Sequence, residues 1–240
     1  MIPSDLDITP FPKLNVKAVL LSHVHMDHYG SIGFLDEKIP VVASSITLAL
    51  LKGLQDTLTL NAGCEVIYMN KRRPDPIDKR VFSSAGQRCG RKLIITDIYN
   101  NVIEDFLWQR SRKTTEIEKG ELNQLKDYEL PFKVTPYETD HSVYGSVGYI
   151  LEGEHSIVYT SDIRLHGKRK KKSDNFIKSA KSSDILIIEG TRLSGENIFD
   201  SENIVYGSCY RVVDMAKGFV IADFSSRNLE RLEIFKKNEM

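Results

Sequence analysis

Four side chains able to bind a metal fall within six residues: His23, His25, Asp27 and His28, in the run Ser22-His23-Val24-His25-Met26-Asp27-His28. The pattern is HxHxDH. Wherever the chain is extended, His23 and His25 point the same way, and a turn toward Gly30 swings Asp27 and His28 to a neighbouring point. One loop could therefore serve two metal positions. Imidazole and carboxylate suit zinc and its neighbours in the divalent series. The competing reading is a set of surface histidines on a turn, but the chain has six histidines in all and three of them sit here, which argues against chance.

Such a loop needs rigid elements around it. Apolar, β-rich runs at 16–21, 41–43, 66–69, 93–95, 133–137, 146–151, 156–160, 185–188 and 219–222 predict strands. Helical spacing predicts helices over 45–54, 98–112, 175–181, 202–217 and 228–237, the first with Ser45 as its cap and Ile46, Leu50 and Leu54 on one face. Strands alternating with helices make an α/β layered fold. Between 133 and 160 the strands leave no room for helices, so part of the sheet must be antiparallel. The least regular stretch, 70–91, reads as a surface excursion, a lid or an ordinary long loop. Phe106, Leu107 and Trp108 read as core rather than as a base-stacking platform.

At 240 residues the chain is long enough for one large domain, or one domain and part of another. Its 33 basic and 33 acidic residues cancel, which excludes a histone-like binder; nucleic acid or anionic membrane could be held only by a local patch. Cys64, Cys89 and Cys209 form no CxxC pair and are odd in number, which argues against a disulfide framework or a thiolate zinc knuckle, and a reducing, cytoplasmic setting is expected. No apolar run approaches the roughly 18 residues of a membrane span, so no membrane partner is expected.

HxHxDH after a strand resembles the signature of the metallo-β-lactamase fold, an αβ/βα sandwich of two mixed sheets between helices. The resemblance implies two further ligands. His141, in Tyr137-Glu138-Thr139-Asp140-His141-Ser142, follows a mid-chain strand, and Asp162, in Thr160-Ser161-Asp162-Ile163-Arg164, ends a later one. It also implies two divalent ions, zinc or alternatively manganese. His23, His25 and His141 would hold one, Asp27 and His28 the other, and Asp162 would bridge them. Two such ions suit the hydrolysis of phosphodiesters and acyl esters alike.

The run Ile185-Leu186-Ile187-Ile188-Glu189-Gly190-Thr191-Arg192, a helix start at Ser201-Glu202, and Val220-Ile221-Ala222-Asp223-Phe224-Ser225-Ser226-Arg227 are similar to the passage into the β-CASP domain of nucleic-acid-processing members such as ribonuclease J. There Glu189 would support the active-site histidines, although a Glu before Gly is also an ordinary turn pair. Asp162-Ile163-Arg164-Leu165-His166-Gly167 is similar to the form of this segment in archaeal-type nucleases. The implied division is a metallo-β-lactamase domain over 1–190, lacking the usual N-terminal strands, and the beginning of a β-CASP domain over 191–240. Only 22 residues precede His23 and no histidine follows His166, so the expected match is an interior slice of the family architecture, an incomplete sandwich.

Lys168, Arg169, Lys170, Lys171 and Lys172 follow Asp162 closely and could neutralise substrate phosphates, with His166 beside them. A solvated loop or a nuclear address would look the same. His155, in a turn between strands, reads as solvated. The resulting expectation is a dinuclear-metal phosphodiesterase acting on RNA, or on DNA. The alternatives are a small-molecule hydrolase such as a thioesterase or lactonase, and a catalytically impaired metal- and RNA-binding relative.

Overall fold

Short runs of β-branched and aliphatic residues build the sheets. The structure, a computed structural model, describes residues 2–3, 15–58, 61–110, 116–191 and 201–237. It divides into two units, Met1–Pro131 and Phe132–Met240. In chain order the first unit holds β1 (Ile2–Pro3), β2 (Val19–Leu20), β3 (Val41–Ala43), β4 (Tyr68–Pro74), β5 (Val81–Gly90), β6 (Leu93–Ile95), β7 (Ile117–Glu118) and β8 (Leu122–Gln124). Its helices are α1 (Met26–Tyr29), α2 (Ser45–Thr57) and α3 (Asn101–Trp108).

One sheet runs β2-β3-β6-β8, every pair parallel. Val41, Val42, Ala43, Leu93, Ile94 and Ile95 are all buried, as expected of parallel strands covered on both faces. Helix α2 starts where the Ser44 side chain accepts from the Thr47 N–H, 3.2 Å, and buries Leu48 and Leu51. Asn100 caps α3 in the same way, and Leu107 and Trp108 are buried while Phe106 stays partly exposed.

The stretch 70–91 is not an irregular loop. It forms an antiparallel ribbon, β4 against β5, with a register shift between Asn70 and Arg72; β1 and β7 flank β5. Its polar sequence hid it: most of the ribbon is solvated, so no buried face imprints an apolar alternation. The turn is closed by Asp75 Oδ1, which accepts from the N–H groups of Ile77 and Asp78.

The second unit holds β9 (Lys133–Glu138), β10 (Val147–Glu152), β11 (Ser156–Tyr159) and β12 (Ile185–Ile187), with α4 (Lys170–Ala180), α5 (Glu202–Met215) and α6 (Leu229–Lys237). The sheet order is β12-β11-β10-β9; β9, β10 and β11 are antiparallel neighbours and β12 is parallel to β11, joined to it through α4. Phe176 of α4 packs on Ile150 and Val158 and stacks on Tyr137 at 5.5 Å. Gly148 permits this approach, since a Cβ there would sit 2.5 Å from the Phe176 ring. The expected strand at 219–222 is not formed: among the described residues it has no neighbour to complete its hydrogen bonds, and Phe219 and Ile221 are exposed. The expected helix over 98–112 is shorter, and 111 and 112 lie outside the described residues, as does 192–200 of the β-CASP-like passage.

Candidate metal centre

In the first unit the chain leaves β2 extended, and His25 (φ −79°, ψ 144°) precedes the single turn of α1 that carries Asp27 and His28. His23 is fully buried, and its Nε2 lies 3.0 Å from His25 Nδ1. Ser22 Oγ is 3.1 Å from His23 Nδ1; in the ligating tautomer that nitrogen donates to the hydroxyl and Nε2 keeps its lone pair. The His28 ring packs on His23, centroids 4.1 Å apart, and His28 Nε2 is 3.5 Å from Asp27 Oδ2. Asp27 is largely exposed, its side chain at 78%.

Under the continuation of this loop lies Arg91, fully buried, its guanidinium donating to the carbonyls of Asp36 (2.9 Å), Leu35 (3.0 Å) and Ile32 (3.2 Å). Burial pulls its pKa below the ordinary arginine value. Nothing in the sequence marks Arg91, which sits at the end of the ribbon.

The second unit supplies two ligand-bearing loops. His141 follows β9 in a loop closed by Thr139 N–H donating to Ser146 O (2.9 Å), with Gly145 in the left-handed region at φ +80°. Asp162 follows β11 through Ser161, a non-glycine residue at φ +54°, an uncommon conformation of the kind that clusters at functional sites. Glu189, just past β12, accepts from the Ile163 N–H at 2.9 Å and so braces the Asp162 loop. His141 Nε2 stands 3.6 Å from Asp162 Oδ2.

Arg164 knits these loops together. Its side chain, only 12% exposed, donates from Nε to Asp140 (3.0 Å), from Nη1 to Glu202 of α5 (3.0 Å), and from Nη2 to Glu230 of α6. Burial opposes its charge, but Glu230 and Asp140 prevail and hold its pKa above the ordinary value.

The five-residue basic run does not form one free patch. Arg169 donates to the carbonyls of His141 (2.8 Å) and Val143 (2.9 Å) and lies over the Tyr144 ring at 4.3 Å. Its guanidinium holds the His141 loop. Lys170 pairs with Asp174 and Lys172 with Glu138, at 2.7 and 2.9 Å. Lys168 and Lys171 are exposed with no acidic partner among the described residues, and His166 is exposed too. Lys170, Lys171 and Lys172 form the first turn of α4, where the helix dipole repels lysine and attracts anions. An open cavity of about 680 Å³ is lined by His141, Asp162, Leu165, His166, Glu189 and Thr191.

Each unit brings imidazole or carboxylate donors together: His23 with His25 in the first, and His141 with Asp162 in the second. Each pair fits a divalent ion. Metal bonds of 2.0–2.1 Å in a tetrahedron place donor atoms roughly 3.3 Å apart. The His23–His25 and His141–Asp162 separations, 3.0 and 3.6 Å, bracket that value.

Residues 4–191 match the model of the Metallo-beta-lactamase superfamily, and the chain belongs to it. Its mixed α/β sheets are those of this metal-dependent hydrolase fold. A crystal structure of a protein of unknown function from Enterococcus faecalis V583 is similar over 94% of this chain, at 22% identity and a TM-score of 0.57. The chain spans 45% of the length of that protein. No curated protein matches it. No described helix is long and apolar enough to cross a membrane.

Proposed function

We propose that this chain is a metal-dependent phosphodiesterase acting on RNA. The observation that carries the reading is the edge of the Asp162 cavity: two residues beyond the cavity-lining His166, the chain turns into a helix N-terminus flanked by Lys168 and Lys171. Lysines at that end of a helix are unfavourable unless an anion is to be met there. His23, His25, His141 and Asp162 would hold the first ion, and Asp27 and His28 with Asp162 a second. Bound there, zinc or manganese would acidify water and draw charge from the phosphoryl oxygens. The chain's own residues do the rest. Glu189 keeps the Asp162 loop in place through Ile163; Arg169 holds the carbonyl of His141; Lys168, Lys171 and His166 receive the strand's phosphates. The beginning of a β-CASP domain after residue 190 is part of this proposal, supported by the Glu189-Gly190-Thr191 ending of the β12 segment.

A second reading, a thioesterase or lactonase, draws on the apolar side chains of Ile163, Leu165 and Ile188 around the same cavity. One experiment separates them: 5′-labelled RNA, an acyl thioester and a lactone are offered to zinc- or manganese-loaded protein beside His25→Ala. Metal-dependent RNA cleavage lost in the variant supports the proposal. Ester turnover without RNA cleavage overturns it, and RNA binding without any turnover identifies an impaired binding protein.

A further inference from the structure

Helix α5 buries none of its side chains, and α6 buries Glu230 and Ile234. What fastens them to the second unit is largely charge. Arg164, two residues past Asp162, reaches Glu202 in the first turn of α5 and Glu230 in the first turn of α6. Its third partner is Asp140, fully buried and adjacent to His141. One helical turn beyond Glu230, Glu233 accepts from the hydroxyl of Tyr144 at 2.8 Å. These interactions end on the loops that present His141 and Asp162.

The cluster is short of positive charge. Asp140, Glu202 and Glu230 pair, among the described residues, with the guanidinium groups of Arg164 and, 3.5 Å from Glu202, Arg231. Asp140 Oδ2 and Glu230 Oε1 are buried and accept no hydrogen bond from the described residues. Buried ion clusters are poor sources of net stability, and their best-attested use is to specify one arrangement. A divalent cation held by the residues beside Asp140 would offset the excess negative charge.

We infer that Arg164 is a positioning residue that couples the two C-terminal helices to the metal: their docking sets the aim of His141 and Asp162, and metal binding in turn tightens the helices. This rests on the reading of His141 and Asp162 as ligands. Reciprocity is a thermodynamic requirement, since helices that raise metal affinity are stabilised by metal to the same extent. A ligand or protein that engages α5 or α6 would then tune the metal centre.

Gly167 gives a test that removes no charge. A Cβ at this position would lie 2.4 Å from both Arg164 Nε and Asp140 Oδ2, so Gly167→Ala wedges the pair apart. Glu230→Gln is the second variant, keeping shape while dropping a charge. On the full chain, zinc affinity is read by competition with a chromophoric chelator, apo-protein stability by thermal melting, and hydrogen exchange is followed over 202–237 with and without zinc. Both variants should bind zinc about 10- to 100-fold more weakly, the usual effect of removing a group that supports a metal ligand. Zinc should slow exchange over 202–237 in the wild type and much less in the variants. A merely structural cluster would lower the melting temperature and leave zinc affinity unchanged; that result, or exchange indifferent to bound zinc, overturns the coupling alone. A wild-type chain that binds no zinc overturns the metal-centre reading and the coupling with it.

Discussion

Two buried arginines support the ligand-bearing loops, one in each unit, and they do so by opposite means. Arg91 donates to neutral carbonyls, those of Ile32, Leu35 and Asp36, beneath the stretch that follows HxHxDH. Arg164 is ringed by the carboxylates of Asp140, Glu202 and Glu230. The first support is a set of oriented dipoles beside a parallel sheet whose central strands, β3 and β6, are buried. The second is an electrostatic junction between a sheet and two helices that bury little. Backbone carbonyls left without their arginine can be partly satisfied by water, whereas buried carboxylates left without theirs repel one another. The His23 loop should therefore be robust and the His141 and Asp162 loops conditional.

The largest effect comes from removing a ligand in either unit. His25→Ala and His141→Ala should each lower metal affinity by more than the roughly 10- to 100-fold that removing a ligand's support costs. Elemental analysis after dialysis and calorimetric titration measure it; metal content equal to wild type in either variant would remove that residue from the centre. Asp27→Ala should leave the first equivalent of metal bound, because the proposal assigns Asp27 to the second ion.

Next in size is the direct test of the two arginines. Arg164→Met strands three carboxylates in low-dielectric surroundings, a change that costs roughly 3–5 kcal/mol. Arg91→Met removes hydrogen bonds from a charged donor to neutral acceptors, each worth about 1.5–3 kcal/mol but partly replaced by water. Urea unfolding of the apo-proteins should rank Arg164→Met as the more damaged. The reverse order would show that buried carbonyls, and not charge, set the cost.

How much of this was legible in the residues follows the same division. HxHxDH is local: four chemically distinctive side chains within six residues, and the structure gathers His23, His25 and His28 as that spacing requires. The strands at 41–43 and 93–95 were equally plain, because burial on both faces writes an uninterrupted apolar run. The ribbon of β4 and β5 was invisible for the opposite reason, since a solvated strand pair needs no alternation. Arg169 has a local partner that a run of cations does not announce: its planar fork spans the two carbonyls of the His141 loop, a geometry lysine lacks. Arg164 with Glu202 and Glu230 joins residues 38 and 66 positions apart, and each glutamate alone reads as an ordinary acid at a helix start.

A smaller effect concerns the lysines left over once Arg169, Lys170 and Lys172 are occupied. Lys168→Gln with Lys171→Gln should flatten the salt dependence of RNA binding by about 0.7 in slope for each phosphate no longer neutralised. Arg169→Gln should instead loosen the His141 loop and weaken metal binding. Fluorescence anisotropy with a labelled single-stranded RNA, at several salt concentrations, distinguishes the two. An unchanged slope in the double variant would leave α4's first turn as a solvated surface.

The smallest expected effect sharpens the contrast at the sheet of the second unit. Asp184, just before β12, accepts from the N–H and hydroxyl of Ser156 at 2.8 and 3.0 Å, and these bonds pull its pKa below the usual carboxylate value. In the first unit Asp97 makes the matching interaction with the N–H and hydroxyl of Ser45, at 3.0 and 2.6 Å. Because the folded pKa of Asp184 is depressed, its contribution is complete above the unfolded value near 3.9 and disappears as the pH falls through the folded one. Asp184→Ala should thus lower the melting temperature slightly at neutral pH, with the gap to wild type closing only in acid below about pH 3.9. Asp184 is exposed, so the gap is small, and it should change little with salt concentration, because it comes chiefly from hydrogen bonds to the neutral donors of Ser156, with the charge of His155 a lesser cause. NMR titration of the carboxyl carbon provides the check: an ordinary or raised pKa would mean that Ser156 does not hold Asp184, and that β12 stays beside β11 through its backbone pairing alone.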